Sequence, residues 1–213
     1  MNPKSNPVRI LIADDHPLLR EGIRGILENQ EEFEVIGEAA TGDETIALCQ
    51  ENPPDVLLLD IKMPGKKTVE ILRELNQTQP QIKTIILTAY DDETILRILL
   101  PFQIAGYVLK DEPSEILIDV IKMVAGGRTW FSPSVSEKFS EIKQSPWKEP
   151  ITAREIEVLS LLKEGLSFED AADTLGISVR TVRYHIEKIN LKLNTKNRLE
   201  ALAKAIESGL LEK

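Results

Sequence analysis

Five polar residues close short apolar runs in this 213-residue chain: Asp14 and Asp15 after Val8–Ala13, Asp60 after Val56–Leu59, Thr88 after Thr84–Leu87, and Lys110 after Tyr107–Leu109. Convergent carboxylates and backbone carbonyls form an oxygen-only donor set suited to a hydrated magnesium ion. A carboxylate beside such an ion can act as a nucleophile toward a phosphoryl group. The ion and an ammonium then neutralise charge on the transferring oxygens. Lys110 supplies an ammonium, and the Thr88 hydroxyl can bond a phosphoryl oxygen. A doubly charged group placed there reorders nearby loops through charge-assisted hydrogen bonds. Taken singly, Asp14 or Thr88 reads as the cap of a following helix; several run ends meeting in one crevice read as a site.

The surrounding pattern must bring those run ends together. Strand signals at 8–13, 34–39, 55–60, 84–88 and 107–110 alternate with helical ones, among them 17–27, 42–50 and 114–125. The run Val56–Leu59 is apolar without alternation, as in a parallel strand covered on both faces. Five strands and five helices in alternation predict an α/β domain over 1–127 with a five-stranded, doubly wound parallel sheet. Such sheets gather ligands outside the carboxyl ends of their strands, where the five residues stand. Gly126-Gly127 stops the last helix, and 128–149, with Pro133 and Pro146, reads as a linker holding a short helix around Val135, Phe139 and Ile142.

Residues 150–213 read as an all-α domain of four helices. Thr152 and Glu155 form a capping box ahead of Ile156, Val158, Leu159, Leu161 and Leu162, with Gly165 as the stop. Ser167 caps a second, short helix, and Gly176-Ile177-Ser178 turns into a third. A fourth runs from about Lys196 to Glu207 and stops at Gly209. Helix, glycine turn and a helix opening with basic and hydroxyl residues is the helix-turn-helix arrangement.

Charge is divided along the chain. Residues 1–149 carry 16 Lys and Arg against 25 Asp and Glu, whereas 150–213 carry 10 of each. Within the neutral part, Arg180, Arg183, Lys188, Lys192, Lys196 and Arg198 face one acid, Glu187, a stripe that suits nucleic acid as well as a solvated helix face. Composition is that of a globular protein, with 42% hydrophobic and 29% charged residues. No apolar run approaches the ~20 residues of a membrane span. One cysteine, Cys49, excludes an internal disulfide, and the expected setting is cytoplasmic.

These residues resemble a two-component response regulator of the NarL/FixJ subfamily, a receiver domain followed by a LuxR-type helix-turn-helix. The receiver resemblance rests on Asp14-Asp15-His16-Pro17, Asp60-Ile61-Lys62-Met63-Pro64-Gly65, Leu87-Thr88-Ala89 and Gly106–Lys110. The DNA-binding resemblance rests on Ile151–Leu159, Thr181–Ile186 and Lys192-Leu193. It implies that Asp60 is the phosphoacceptor for a sensor histidine kinase. Mg²⁺ would be held by Asp15, Asp60 and the Lys62 carbonyl, with Asp14 acting through water. Lys110 would pair with Asp60 or the phosphoryl group, and Thr88 with Tyr107 would form the switch pair. His16 would be structural. Arg180, Thr181, Arg183, Tyr184 and Glu187 would face the major groove of double-stranded DNA, with Lys188 and Lys192 nearer its backbone. His185 would pack within the domain. An active homodimer would bind paired half-sites.

The chain also departs from the subfamily. Lys67 and Thr68 stand where an acid and a glycine are usual; the lysine would bring a cation near the acidic crevice, and threonine does not visit positive φ cheaply. Pro101 should end the fourth helix, whose Ile95, Leu96, Ile98, Leu99 and Leu100, with Phe102, exceed one buried stripe and imply either an exposed apolar patch or an overpacked core. Glu187 occupies a place where relatives often carry a base or an amide. Two other functions compete: a phosphorylation-independent DNA binder, and a phosphohydrolase using Asp60. The second needs an acid two residues on, where Lys62 stands. No enzymatic turnover of a separate substrate is expected.

Overall fold

The computed structural model describes residues 6–91, 93–99, 101–144, 151–208 and 210–211. They fall into two compact units, one drawn from 1–91 with 102–137 and the other from 92–101 with 138–213.

The first unit is built on a parallel sheet of β1 (Val8–Ala13), β2 (Phe33–Ala39), β3 (Val56–Leu59), β4 (Lys83–Thr88), β5 (Gly106–Leu109) and β6 (Trp130–Phe131), in the order β2-β1-β3-β4-β5-β6. Chain order reverses beside β1, between β2 and β3, and this switch point opens a crevice at the carboxyl ends. Helices α1 (Pro17–Glu28) and α5 (Ser114–Ala125) cover one face, where Ile23, Leu27, Val120 and Ile121 meet Ile10, Ile12, Val56, Leu58, Ile85 and Val108. Helices α2 (Gly42–Glu51) and α3 (Thr68–Thr78) belong to the same unit and bury Ile46, Cys49, Ile71, Leu72 and Leu75. Every residue of β3 is buried, as its unbroken apolar run requires.

The sheet has six strands rather than five. Trp130 N donates to Ala105 O at 3.1 Å and Ser132 N to Tyr107 O at 2.9 Å, so the start of the expected linker adds an edge strand. Two residues are too few to show a period; only the exposed edge of β5 makes them a strand. The short helix expected farther along is α6 (Pro133–Gln144), with Val135 buried. Pro146 lies outside the described residues.

Helix α4 (Glu93–Leu99) stops before Pro101, as that residue dictates. Its described apolar side chains are not an exposed patch: Ile95, Leu96, Ile98 and Leu99 are all buried. Leu100 lies outside the described residues.

The helical part of the second unit continues with α7 (Ala153–Lys163), α8 (Phe168–Leu175), α9 (Val179–Leu193) and α10 (Arg198–Glu207). The starts of α7, α8 and α9 are capped as the sequence predicts: Thr152 Oγ1 accepts from Glu155 N at 3.2 Å, Ser167 Oγ from Asp170 N at 3.0 Å and Ser178 Oγ from Thr181 N at 3.1 Å. Gly176 takes φ 64°, the left-handed turn that lets α9 leave α8 sharply. Val158, Leu159, Ala171, Val182, Ile186, Ile189 and Leu193 fill the interior. Gly209 lies outside the described residues.

Candidate functional site

The sheet delivers three of the five residues, Asp15, Asp60 and Lys110, to the wall of one cleft of about 500 Å³, beside His16, Lys62 and Tyr90 among others. Asp14 is buried just beneath it, and Thr88 is fully buried at the end of β4. Lys110 Nζ donates to Asp60 Oδ2 at 2.9 Å and lies 2.6 Å from Asp14 Oδ2. The second contact is a buried ion pair, so one ammonium bridges the Asp14 and Asp60 carboxylates. Asp15 Oδ1 is buried without a hydrogen bond, although His16 Nδ1 is 2.9 Å away. Burial pushes the Asp60 carboxyl above the usual carboxylate range, against the opposing pull of Lys110. Burial also draws Lys110 down, but its bonds to Asp14 and Asp60 outweigh that and raise it above its ordinary value.

Clustered carboxylates with a buried oxygen left without a donor, Asp15 Oδ1, are what a hard cation would satisfy. One ligand atom each from Asp14, Asp15, His16 and Asp60 lies within 4.8 Å of the others. The residues fit a magnesium ion. His16, read as structural in the sequence, does open α1 as its N-cap: its backbone N donates to Asp14 Oδ1 at 2.8 Å. Its ring nevertheless faces the acids, and two consecutive aspartates before it were the available signal.

Tyr90 is a residue the sequence did not single out. Thr88 Oγ1 accepts from Tyr90 N at 3.3 Å, and the Tyr107 hydroxyl donates to Tyr90 O. The backbone of Tyr90 therefore joins the two residues expected to act as a switch pair. Tyr107 is fully buried. Lys62 Nζ sits 3.9 Å from the centroid of the Tyr90 ring, across the mouth of the cleft. No pattern marks Tyr90 beyond its place two residues after β4.

Lys67 does not line the cleft; it is the N-cap of α3, and its N–H donates to Glu70 Oε2 at 2.9 Å. The expected cation near the crevice is thus absent from its wall. Thr68 carries no positive φ, so the anticipated strain does not arise. Its buried hydroxyl instead donates to Ile61 O at 2.8 Å, tying α3 to the backbone that follows Asp60.

In the helical domain, α9 leaves Arg180, Arg183, Tyr184 and Glu187 exposed, with Thr181, His185 and Lys188 half-buried. Lys188 Nζ lies 5.7 Å from the Tyr184 ring, and the His185 ring meets Tyr184 edge-on at 6.0 Å. Lys192 requires a correction. It is buried, and its ammonium donates to both oxygens of buried Glu155, at 2.9 and 2.8 Å. An ammonium spent inside the domain is not available to a DNA backbone. The helical period put Lys192 on the flank of α9; only the tertiary fold shows α7 packed over that flank.

Comparison with known proteins accounts for both units. The response regulator receiver domain family matches residues 10–122, and the luxR family of bacterial regulatory proteins matches 149–205. The transcriptional regulatory protein DegU of Brevibacillus brevis is 34% identical, over 96% of this chain and 95% of its own length. The oxygen regulatory protein NreC of Staphylococcus epidermidis is 36% identical, over 96% of this chain and all of its own. Among solved structures, RcsB of Salmonella enterica serovar Typhimurium, bound to promoter P1flhDC in the presence of a phosphomimetic, aligns with TM-score 0.70 at 27% identity, covering 97% of this chain and all of that one. The chain belongs to the response regulators that join a receiver domain to a LuxR-type DNA-binding helix-turn-helix, and it is a transcription regulator.

Proposed function

We propose that Asp60 is the phosphoacceptor, and that a sensor histidine kinase is the donor. The observation that carries this is the meeting of Asp60, Asp14, Asp15 and Lys110 at the carboxyl edge of the sheet. An Asp60 oxygen attacks phosphorus, the new O–P bond forms as the N–P bond of a phosphohistidine breaks, and the electron pair stays on the imidazole. Lys110 already holds the accepting carboxylate and moves little to hold a phosphoryl oxygen. Thr88 Oγ1 only accepts from Tyr90 N, which leaves its proton for a second oxygen. Asp15, Asp60 and the Lys62 carbonyl would hold Mg²⁺, with Asp14 through water; the ion supplies charge neutralisation for the transferring oxygens.

A shift of Thr88 toward the phosphoryl group pulls on Tyr90, and through its carbonyl on the Tyr107 hydroxyl. That linkage is the switch in this reading. It leads to a homodimer on paired half-sites of duplex DNA, contacted by Arg180, Thr181, Arg183, Tyr184, Glu187 and Lys188, in a cytoplasmic protein. The receiver would span 1–127 and the DNA-binding domain 150–213. Among the described residues, no helix is long and apolar enough to cross a membrane. A phosphorylation-independent regulator would draw on the Lys67-Thr68 loop and the apolar fourth helix, but Lys67 does not line the cleft and the described apolar residues of α4 are buried. Turnover of a separate phosphorylated substrate would need a carboxylic acid where Lys62 instead lies against Tyr90.

Intact mass and size-exclusion with Mg²⁺ and acetyl phosphate test this. The wild type should gain one phosphoryl group and shift toward a dimer, and Asp60→Asn should do neither. Equal modification of the two would overturn Asp60 as the acceptor.

A further inference from the structure

Phe168 opens α8 immediately after its cap Ser167 and is half-buried. Two guanidiniums converge on its ring: Arg183 Cζ, from α9, is 5.2 Å from the centroid, and Arg198 Cζ, from the first turn of α10, is 5.4 Å away. One ring therefore gathers cations from two different helices. Both arginines are exposed, and neither has a hydrogen-bond or carboxylate partner among the described residues. Two of the acids on α8 and α10 are bonded elsewhere. Asp170 Oδ2 accepts from the Ser167 hydroxyl at 2.6 Å, and Glu200 accepts from Lys196 N and Asn197 Nδ2.

The two distances hold the guanidiniums within about 11 Å of each other, where like charges repel unless an anion lies between or beside them. An arginine stacked on a ring keeps its donors free at the edge of its plane, so the ring fixes the cation without consuming its hydrogen bonds. In a helix-turn-helix, the helix before the recognition helix crosses the nucleic-acid backbone, and Phe168 begins that helix here.

We propose that Phe168 is the positioning residue of a phosphate clamp, its ring holding Arg183 and Arg198 as a pair on the sugar-phosphate backbone of duplex DNA. This rests on the DNA-binding function of the helical domain and deepens it. Arg183 becomes a backbone contact rather than a base reader, and Arg198 joins the interface.

The test uses the full chain and fluorescence anisotropy across a salt series. The probes are a mixed-sequence duplex and a duplex selected by the wild-type protein from a random pool. Arg183→Ala and Arg198→Ala should each weaken both duplexes by a common factor and lower the slope of log affinity against log salt by about 0.9. Phe168→Leu should weaken both roughly fivefold and lower the slope, with an unchanged melting curve, and Phe168→Tyr should restore both. An unchanged slope in Phe168→Leu, with or without a lower melting temperature, would make Phe168 a packing residue and overturn the proposal alone. So would an Arg183→Ala variant that lost discrimination between the duplexes at constant slope. Failure of the wild type to bind either duplex at low salt would overturn the DNA-binding function together with the clamp.

Discussion

Replacing Lys192 by Met would remove the ammonium from a carboxylate that has almost no access to water. The side chains of Lys192 and Glu155 are only 7% and 5% exposed, so solvent cannot screen the charge left behind. Glu155 would keep one bond, from Thr152 N to its Oε2, and lose both bonds from Lys192. Breaking a buried pair from one side costs about 3–5 kcal/mol. For a domain of this size that lowers the melting temperature by roughly 15–30 °C. The same carboxylate completes the capping box of α7, so hydrogen-exchange protection should fall first in α7 and α9. Glu155→Gln combined with Lys192→Met removes the stranded charge and should recover part of the loss, a coupling of about 1–3 kcal/mol in a double-mutant cycle. Thermal unfolding by far-ultraviolet circular dichroism, with exchange measured by mass spectrometry, reads both effects. A Lys192→Met protein with a wild-type transition and a reduced salt slope for DNA binding would refute the reasoning, because Lys192 would then be a phosphate contact.

Other expectations concern the receiver. Thr68→Val keeps the shape of α3's first turn but removes the donor to Ile61 O; it should cost about 1–2 kcal/mol and slow modification of Asp60 by acetyl phosphate, whereas Thr68→Ser should restore the rate. Equal rates in both variants would show that the hydroxyl does not set the loop after Asp60. Because the Asp60 carboxyl titrates above the usual range, protons should compete with Mg²⁺ at a higher pH than for an ordinary aspartate. Affinity measured by calorimetry should therefore fall on acidification before it would for an ordinary aspartate. A flat profile would exclude Asp60 from the metal site. Lys110, raised above its ordinary value, should hold its charge throughout that acidification and lend stability that disappears only as alkaline pH passes its folded value.

Long, strongly patterned features were legible without coordinates. The unbroken run Val56–Leu59, the capping residues Thr152, Ser167 and Ser178, and Gly176 each specify local structure through burial or backbone geometry, and each stands as read. The acids, hydroxyl and amine at the strand ends were legible for the same reason, since a parallel sheet sends all its carboxyl ends one way. Features that depend on a remote partner were not. Trp130–Phe131 becomes a strand only because β5 offers a free edge, and the buried α4 side chains read as surplus until their surroundings exist. The threonine at 68 looked like a lost glycine, but its backbone never needs positive φ and its hydroxyl finds Ile61 O.

The sequence by itself determined the family, the order of elements and the set of chemical groups at the sheet's edge, because these follow from periodicity, capping and residue type. The tertiary structure decided which of those groups face one another. It set the Asp60–Lys110–Asp14 contacts, the Tyr90 backbone between Thr88 and Tyr107, Lys192 turned inward to Glu155, and two arginines on Phe168. A side chain's charge is written in the sequence. Whether that charge meets water, a carboxylate or an aromatic ring depends on chain segments tens of residues away, brought beside it by packing that no local pattern encodes.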